Sequence, residues 1–163
     1  MPPLKYCGRY RVPSGLHLSG YLLLRAPDPA VVIRAARAAR QMGVRVAVDL
    51  ASAAMIETYG AQAFRALVEK LGPTVVFGNE GEWDAIGGSP DTLSVDAVVK
   101  RGRLGSTFVV GGVKASLRVV PGPVVDVTGA GDALAAGYFV GGPHVAMEAA
   151  ARCVAQMGAQ WNP

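Results

Sequence analysis

Short apolar runs rich in β-branched residues alternate with amphipathic stretches along most of the chain, and this alternation constrains the fold more than any other feature. "VRVAVDL" (44–50) and "TVVFGN" (74–79) have the length and composition of buried strands. Between them, "AQAFRALVEKLG" (61–72) puts Phe64, Leu67, Val68 and Leu71 on one helical face, and Gly72-Pro73 ends that helix. Upstream, "GLHLSGYLLL" (15–24) ends in an apolar run and reads as a strand. The next stretch, "PDPAVVIRAARAARQMG" (27–43), carries full helix punctuation: Asp28 to N-cap, Pro29 in the first helical position, Gly43 in the left-handed place past the end. Arg34, Arg37 and Arg40 recur along it every three residues, as on a solvated face. Downstream come a short helical piece (80–87), the loop "GSPD" (88–91) and three strands, at 95–102, 106–112 and 115–120. Helices at 130–140 and 143–158 close the pattern, the second with Glu148, Arg152 and Gln156 on its wet side and Gly158 at its end. Strands alternating with helices predict an α/β fold with a mostly parallel sheet covered on both faces, plus a hairpin-like portion at 95–120.

A length of 163 residues, 51% of them hydrophobic, suits one well-packed domain, read here as 16–163 after an irregular segment at 1–15. Lys and Arg outnumber Asp and Glu by 16 to 12, and the arginines are spread along the chain. This mild excess would help attract an anionic small molecule; without a basic stripe interleaved with aromatics it argues against nucleic acid. Cys7 and Cys153 lie at opposite ends of the sequence, which predicts no disulfide framework and a reducing, cytoplasmic setting. His17 and His144 stand alone, and neither has a second metal-ligand type at a useful spacing. The apolar runs are too short to span a membrane, and the first residues lack the apolar segment of a signal peptide.

Three places at predicted strand ends carry candidate chemistry, where open α/β sheets bind their ligands. In "DVTGAGDALAAG" (126–137), Gly129, Ala130 and Gly131 leave backbone N–H groups bare where a helix begins, and the helix dipole there favours an anion. Asp132 sits at the end of that surface, where a carboxylate could take a proton from a hydroxyl. A glycine turn with an aspartate near a helix start accounts for the same residues equally well. In "NEGE" (79–82), Asn79 and Glu82 can face one side of a helical turn and offer hard oxygen ligands to magnesium; an N-cap with its capping-box glutamate is the plainer account. In "KRGRLGS" (100–106), Gly102 and Gly105 would let backbone approach a nucleotide while Lys100 faces a phosphate, and a glycine-turn hairpin is the alternative.

Taken in order, N-x-x-E after a strand, K-x-G-x-x-G between strands and D-x-T-G-A-G-D opening a helix resemble the ribokinase-like (PfkB-type) carbohydrate kinases over about residues 16–160. The resemblance implies a three-layer α/β/α domain and ATP-dependent transfer of the γ-phosphoryl group to a hydroxyl of a sugar or related small molecule. It makes Asp132 the catalytic base and Gly129, Ala130 and Gly131 the anion hole. Asn79 and Glu82 organise Mg²⁺ and the phosphates, directly or through water, and Gly102–Gly105 with Lys100 lies by the nucleotide. Asp126 and the backbone around Val127 match the place where some members hold a monovalent cation such as K⁺. Val127 stands where the family often has threonine, and Leu134 where it often has phenylalanine.

The largest departure is length. The family carries an N-terminal region with the sugar-binding segment and a lid, and the sequence shows neither. The resemblance therefore predicts the C-terminal, catalytic and nucleotide-binding portion of a carbohydrate kinase, with an exposed sheet edge inviting a complementing N-terminal half or a second copy in a homo-oligomer. A nucleotide-binding remnant without catalysis and a self-associating module are the competing readings.

Overall fold

The structure is a computed structural model that describes residues 15–88, 90 and 95–159. The expected N-terminal segment with Cys7, and residues 89 and 91 of the expected loop, lie outside the described residues. Six strands form one sheet in the order β1 (Gly15–Ser19), β2 (Arg45–Asp49), β3 (Val75–Asn79), β4 (Asp96–Lys100), β5 (Ser106–Val110) and β6 (Val113–Leu117). The first four run parallel, and β5 and β6 continue antiparallel through tight turns.

Parallel neighbours taken in chain order have a physical consequence. Right-handed crossovers that always step the same way place every connecting helix on the same face of the sheet. Here these are α1 (Gly20–Arg25), α2 (Pro29–Gln41), α3 (Ala53–Tyr59), α4 (Ala61–Leu71) and α5 (Glu80–Ala85). They bury Leu23, Val32, Ala36, Ile56, Phe64, Val68 and Trp83 against Val46, Val48, Val76 and Ala97 of the strands. The opposite face is left for α6 (Ala130–Val154), which lays Leu134, Ala135, Tyr138, Phe139 and Met147 over Ala47, Val75, Phe77, Val98 and Phe108. The result is the three-layer α/β/α arrangement with a mostly parallel sheet that the sequence predicts.

Local chemistry explains where expectation and structure part. The apolar run Tyr21–Leu24 is helical and not strand: Ser19 accepts a hydrogen bond from the Tyr21 amide at 3.3 Å and starts α1. Gly20 allows that abrupt turn, because a β-carbon there would overlap the backbone carbonyl of Leu50. Helix α3 escapes a reading by periodicity because it is seven residues long and buries a single large side chain, Ile56, after the Ser52 cap. The helices expected at 130–140 and 143–158 form one element interrupted at Gly141-Gly142, with Gly142 at φ +75° and Pro143 opening the second stretch. It ends at Val154, before Gly158, and β6 begins two residues earlier than the expected strand at 115–120. Helix α2 matches its punctuation throughout: Asp28 accepts from the Ala30 amide, Pro29 is the first helical residue and Gly43 has φ +74°.

Candidate active site

Ser19, Asp49, Asn79 and Lys100 are the last residues of β1, β2, β3 and β4, so the parallel register brings four polar side chains to one end of the sheet. Ser19 pairs with Asp49 and Asn79 with Lys100 in adjacent strands. This is the carboxyl end, where α/β sheets place their ligands.

Asn79 and Glu82 form a full capping box at the start of α5. The Asn79 side-chain oxygen accepts from the Glu82 amide at 2.9 Å, and Glu82 accepts from the Asn79 amide and the Asn79 side-chain amide, both at 2.8 Å. The capping account is therefore correct as local structure. It does not exhaust the pair, because the Glu82 carboxylate, 6% exposed, also faces Lys100 Nζ at 3.8 Å. Lys100 lies closer to a residue that the sequence reading passes over. Its Nζ donates to Asp49 Oδ2 at 2.7 Å, while Asp49 Oδ1 accepts from the Ala51 amide at 3.0 Å. Ala51 has φ +67°, a conformation rare outside glycine, so the turn that bears Asp49 is held under strain.

Two carboxylates face one ammonium here, which leaves an excess negative charge at the strand ends. Such a surplus suits a divalent cation travelling with phosphates better than it suits a bare anion. Every carboxylate oxygen of Asp49 and Glu82 is already engaged, with a spare lone pair on each. The donor set therefore fits Mg²⁺ held through its own waters. Among the described residues no group of three or more His, Cys, Asp or Glu could enclose a metal ion.

The loop that enters α6 is tied to the chain that leaves it. Asp126 accepts from the Thr128 amide at 2.9 Å with one oxygen and from the Gly158 amide at 2.9 Å with the other. The hydrogen bonds from Thr128, with that from Gly158 behind them, hold the Asp126 carboxyl below its ordinary pKa. Val125 and Asp126 donate their amides to the Val154 carbonyl, and Cys153 Sγ donates to the Thr128 carbonyl. Gly129 then caps α6 at φ +80°; a β-carbon there would come within 2.6 Å of the Ala159 side chain. Both facts require glycine.

This clasp sets the start of α6 over the strand ends. A β-carbon at Gly131 would lie 3.9 Å from both Asp49 Oδ2 and Lys100 Nζ. Of the amides expected to face an anion, that of Ala130 is given to the Val127 carbonyl at 3.2 Å. Asp132 projects outward, 82% exposed, with one oxygen 3.6 Å from His17 Nε2. Gly102 to Leu104 make a single 3₁₀ turn beyond Lys100. Gly105 follows at φ +94°, pressed so closely on the Leu117 carbonyl that no side chain fits. The fold thus gathers Asn79, Glu82, Lys100 and Gly131 around Asp49, while Asp132 follows Gly131 toward His17, Gly102–Gly105 lies beyond Lys100 and Asp126 braces the loop.

Asp49 and His17 are the residues that sequence reasoning misses. An acid closing the apolar strand "VAVDL" is the same signal as the asparagine closing "VVFGN", and strand alternation puts His17 on the face of Ala47 and Phe77. Among the described residues, no helix is long and apolar enough to cross a membrane.

The model of the pfkB family carbohydrate kinases matches residues 13–160. Comparison of the sequence with curated proteins finds no match. Among solved structures, a probable sugar kinase from Rhizobium etli CFN 42 is 21% identical with a TM-score of 0.78, the alignment covering 90% of this chain and 50% of that one. The adenosine kinase from Sinorhizobium meliloti is 26% identical with a TM-score of 0.73, covering 91% of this chain and 51% of that one. An uncharacterized sugar kinase from Pyrococcus horikoshii, solved in complex with ATP, is 17% identical with a TM-score of 0.73, covering 90% and 53%. The chain spans about half the length of each of these proteins.

Proposed function

The chain belongs to the pfkB family of carbohydrate kinases, and from that premise we propose that it binds Mg-ATP at the carboxyl ends of β1–β4 and supplies the phosphoryl-transfer machinery of a sugar or nucleoside kinase. The observation that carries this reading is the convergence of Asp49, Glu82 and Lys100 on the first turn of α6, with Lys100 bridging both carboxylates.

The residues divide the work as follows. Lys100 is placed to exchange a carboxylate partner for a phosphate oxygen. Glu82 and Asp49, with Asn79 fixing the orientation of Glu82, would hold Mg²⁺ through its waters. The ion, when bound, neutralises charge on the phosphates. The free amides at the start of α6 receive the charge that develops on the transferring group. Asp132 accepts the proton of the acceptor hydroxyl as the hydroxyl oxygen bonds to the γ-phosphorus. The bond from that phosphorus to the bridging oxygen breaks, and ADP leaves. The same reading puts K⁺ beside Asp126, whose oxygens each keep a lone pair after accepting an amide.

One observation favours a second reading for the chain by itself. Asp132 is 82% exposed, and phosphoryl transfer needs water excluded and the acceptor oriented. Nucleotide binding without productive transfer, until a complementing half or a second copy covers the site, is consistent with that exposure. Calorimetry with Mg-ATP tests both readings: no heat of binding to the folded chain at millimolar nucleotide refutes them together. Phosphoryl transfer by the chain alone separates them: the first reading expects transfer that Asp132→Asn lowers at least a hundredfold with binding within about threefold, the second expects none.

A further inference from the structure

We infer that His17 is the positioning residue for Asp132: its Nε2–H bonds one carboxylate oxygen and holds the other turned outward toward the acceptor hydroxyl. This inference rests on the kinase reading for its purpose, but the contact itself does not.

Three observations support it. His17 lies in the middle of β1, beside Ala47 of β2, on the face that α6 covers. Its ring meets Phe77 edge-on at 6.2 Å, and Phe77 meets Tyr138 of α6 in the same manner at 5.7 Å. An aliphatic or phenyl side chain would satisfy that packing without any polar atom to desolvate. Yet both imidazole nitrogens are buried, and among the described residues neither has a hydrogen-bond partner. Buried polar groups almost always find partners, so the unmet Nε2 points to a contact that completes in use.

A polar group lies within reach: Asp132 Oδ1 is 3.6 Å from Nε2. Asp132 is exposed, so a small torsion closes the gap to hydrogen-bond length. The ring cannot move in the same way, because Phe77 and the strand hold it. The rigid partner therefore sets the orientation of the mobile one. A carboxylate with one oxygen bonded from inside presents the second oxygen to solvent in a single direction. That is what a general base needs: its proton acceptor already aimed before the acceptor hydroxyl arrives.

Packing and hydrogen bonding make opposite demands on substitution, which gives the test. Phenylalanine keeps the ring and loses the donor; glutamine loses the ring and keeps an N–H at about the position of Nε2. In the full chain, vicinal proton couplings report whether Asp132 occupies one side-chain rotamer. Fixed couplings are expected in the native protein, averaged ones in His17→Phe and fixed ones again in His17→Gln. With only two histidines in the sequence, ring ¹⁵N spectra give a second readout: Asp132→Ala should shift the His17 signals and leave those of His144 in place. Averaged couplings in the native protein overturn the inference, and so does rescue by phenylalanine in place of glutamine. Mg-ATP calorimetry on the same samples keeps the two failures apart. Nucleotide binding with a freely rotating Asp132 removes the role of His17 alone. A fixed Asp132 with no nucleotide binding upholds the contact and refutes the kinase reading.

Discussion

Replacing Lys100 by methionine keeps the volume of the side chain and removes its charge from a position between two carboxylates. The contacts are short, 2.7 Å to Asp49 and 3.8 Å to Glu82, and the acids are 12% and 6% exposed. Removing one partner of a fully buried pair typically costs about 3–5 kcal/mol, chiefly because the other charge is left uncompensated. Three features lower that figure here. Lys100 is itself 23% exposed, Glu82 retains two hydrogen bonds from Asn79, and Asp49 retains the Ala51 amide. A loss of about 2–3 kcal/mol is expected. In a protein of this size that corresponds to a fall in Tm of about 4–12 °C. Urea denaturation of Lys100→Met, Asp49→Asn and the double variant measures it. Asp49→Asn removes the stranded charge, so the double variant should be more stable than the sum of the single changes predicts by about 1 kcal/mol or more. A loss below about 0.5 kcal/mol for Lys100→Met, or additivity within that margin, would show that the lysine does not bridge these acids in solution and would remove the central contact of the proposed site.

Gly105→Ala should destabilise by more than about 2 kcal/mol, because it combines φ +94° with overlap of the Leu117 carbonyl. Gly102→Ala, at φ +53° with open space around it, should cost only about 1 kcal/mol; chemical denaturation of the pair checks the difference. Tyr138 donates to Asp96, and burial with the nearby Asp96 charge pushes its pKa up to about 12. A raised folded value means that the contribution is whole below the unfolded pKa near 10 and is lost as pH rises toward 12. The native protein should therefore lose stability over that interval more steeply than Tyr138→Phe in parallel urea melts. Asp126 has the opposite sign: with its folded pKa depressed, its contribution is present above the unfolded pKa and lost as pH falls through the folded one. Asp126→Asn should flatten the acid limb of the stability profile below about pH 4.

Much of the fold is written locally. Helix α4 is legible because Phe64, Leu67, Val68 and Leu71 repeat at helical spacing and all four are buried. Helix α2 is legible because its caps are ordinary chemistry at the ordinary places. The apolar run Tyr21–Leu24 misleads for a tertiary reason. Its conformation is set by Ser19 and by a carbonyl of the β2–α3 turn pressing on Gly20, and nothing within the run itself announces a helix. Helix α3 is too short for its period to show.

The site divides along the same line. "NEGE" and "TGAGD" are local signals, and the first is a genuine capping box. Asp49 is a single acid at the end of a strand, and it gains meaning only from register. Each strand of the parallel set reaches its last residue at the same edge of the sheet, so the side chains that end β2, β3 and β4 meet there whatever their separation in sequence. Lys100 is 51 residues from Asp49 and still bonds it at 2.7 Å. A reader of the sequence can find the residues that sit in motifs; the lone acid that joins them appears once the strand order is known. That order also decides which face α6 must take, because the crossover helices have already filled the other. The glycine-rich first turn of α6 is thereby brought over the strand ends, where a β-carbon at Gly131 would meet both Asp49 and Lys100.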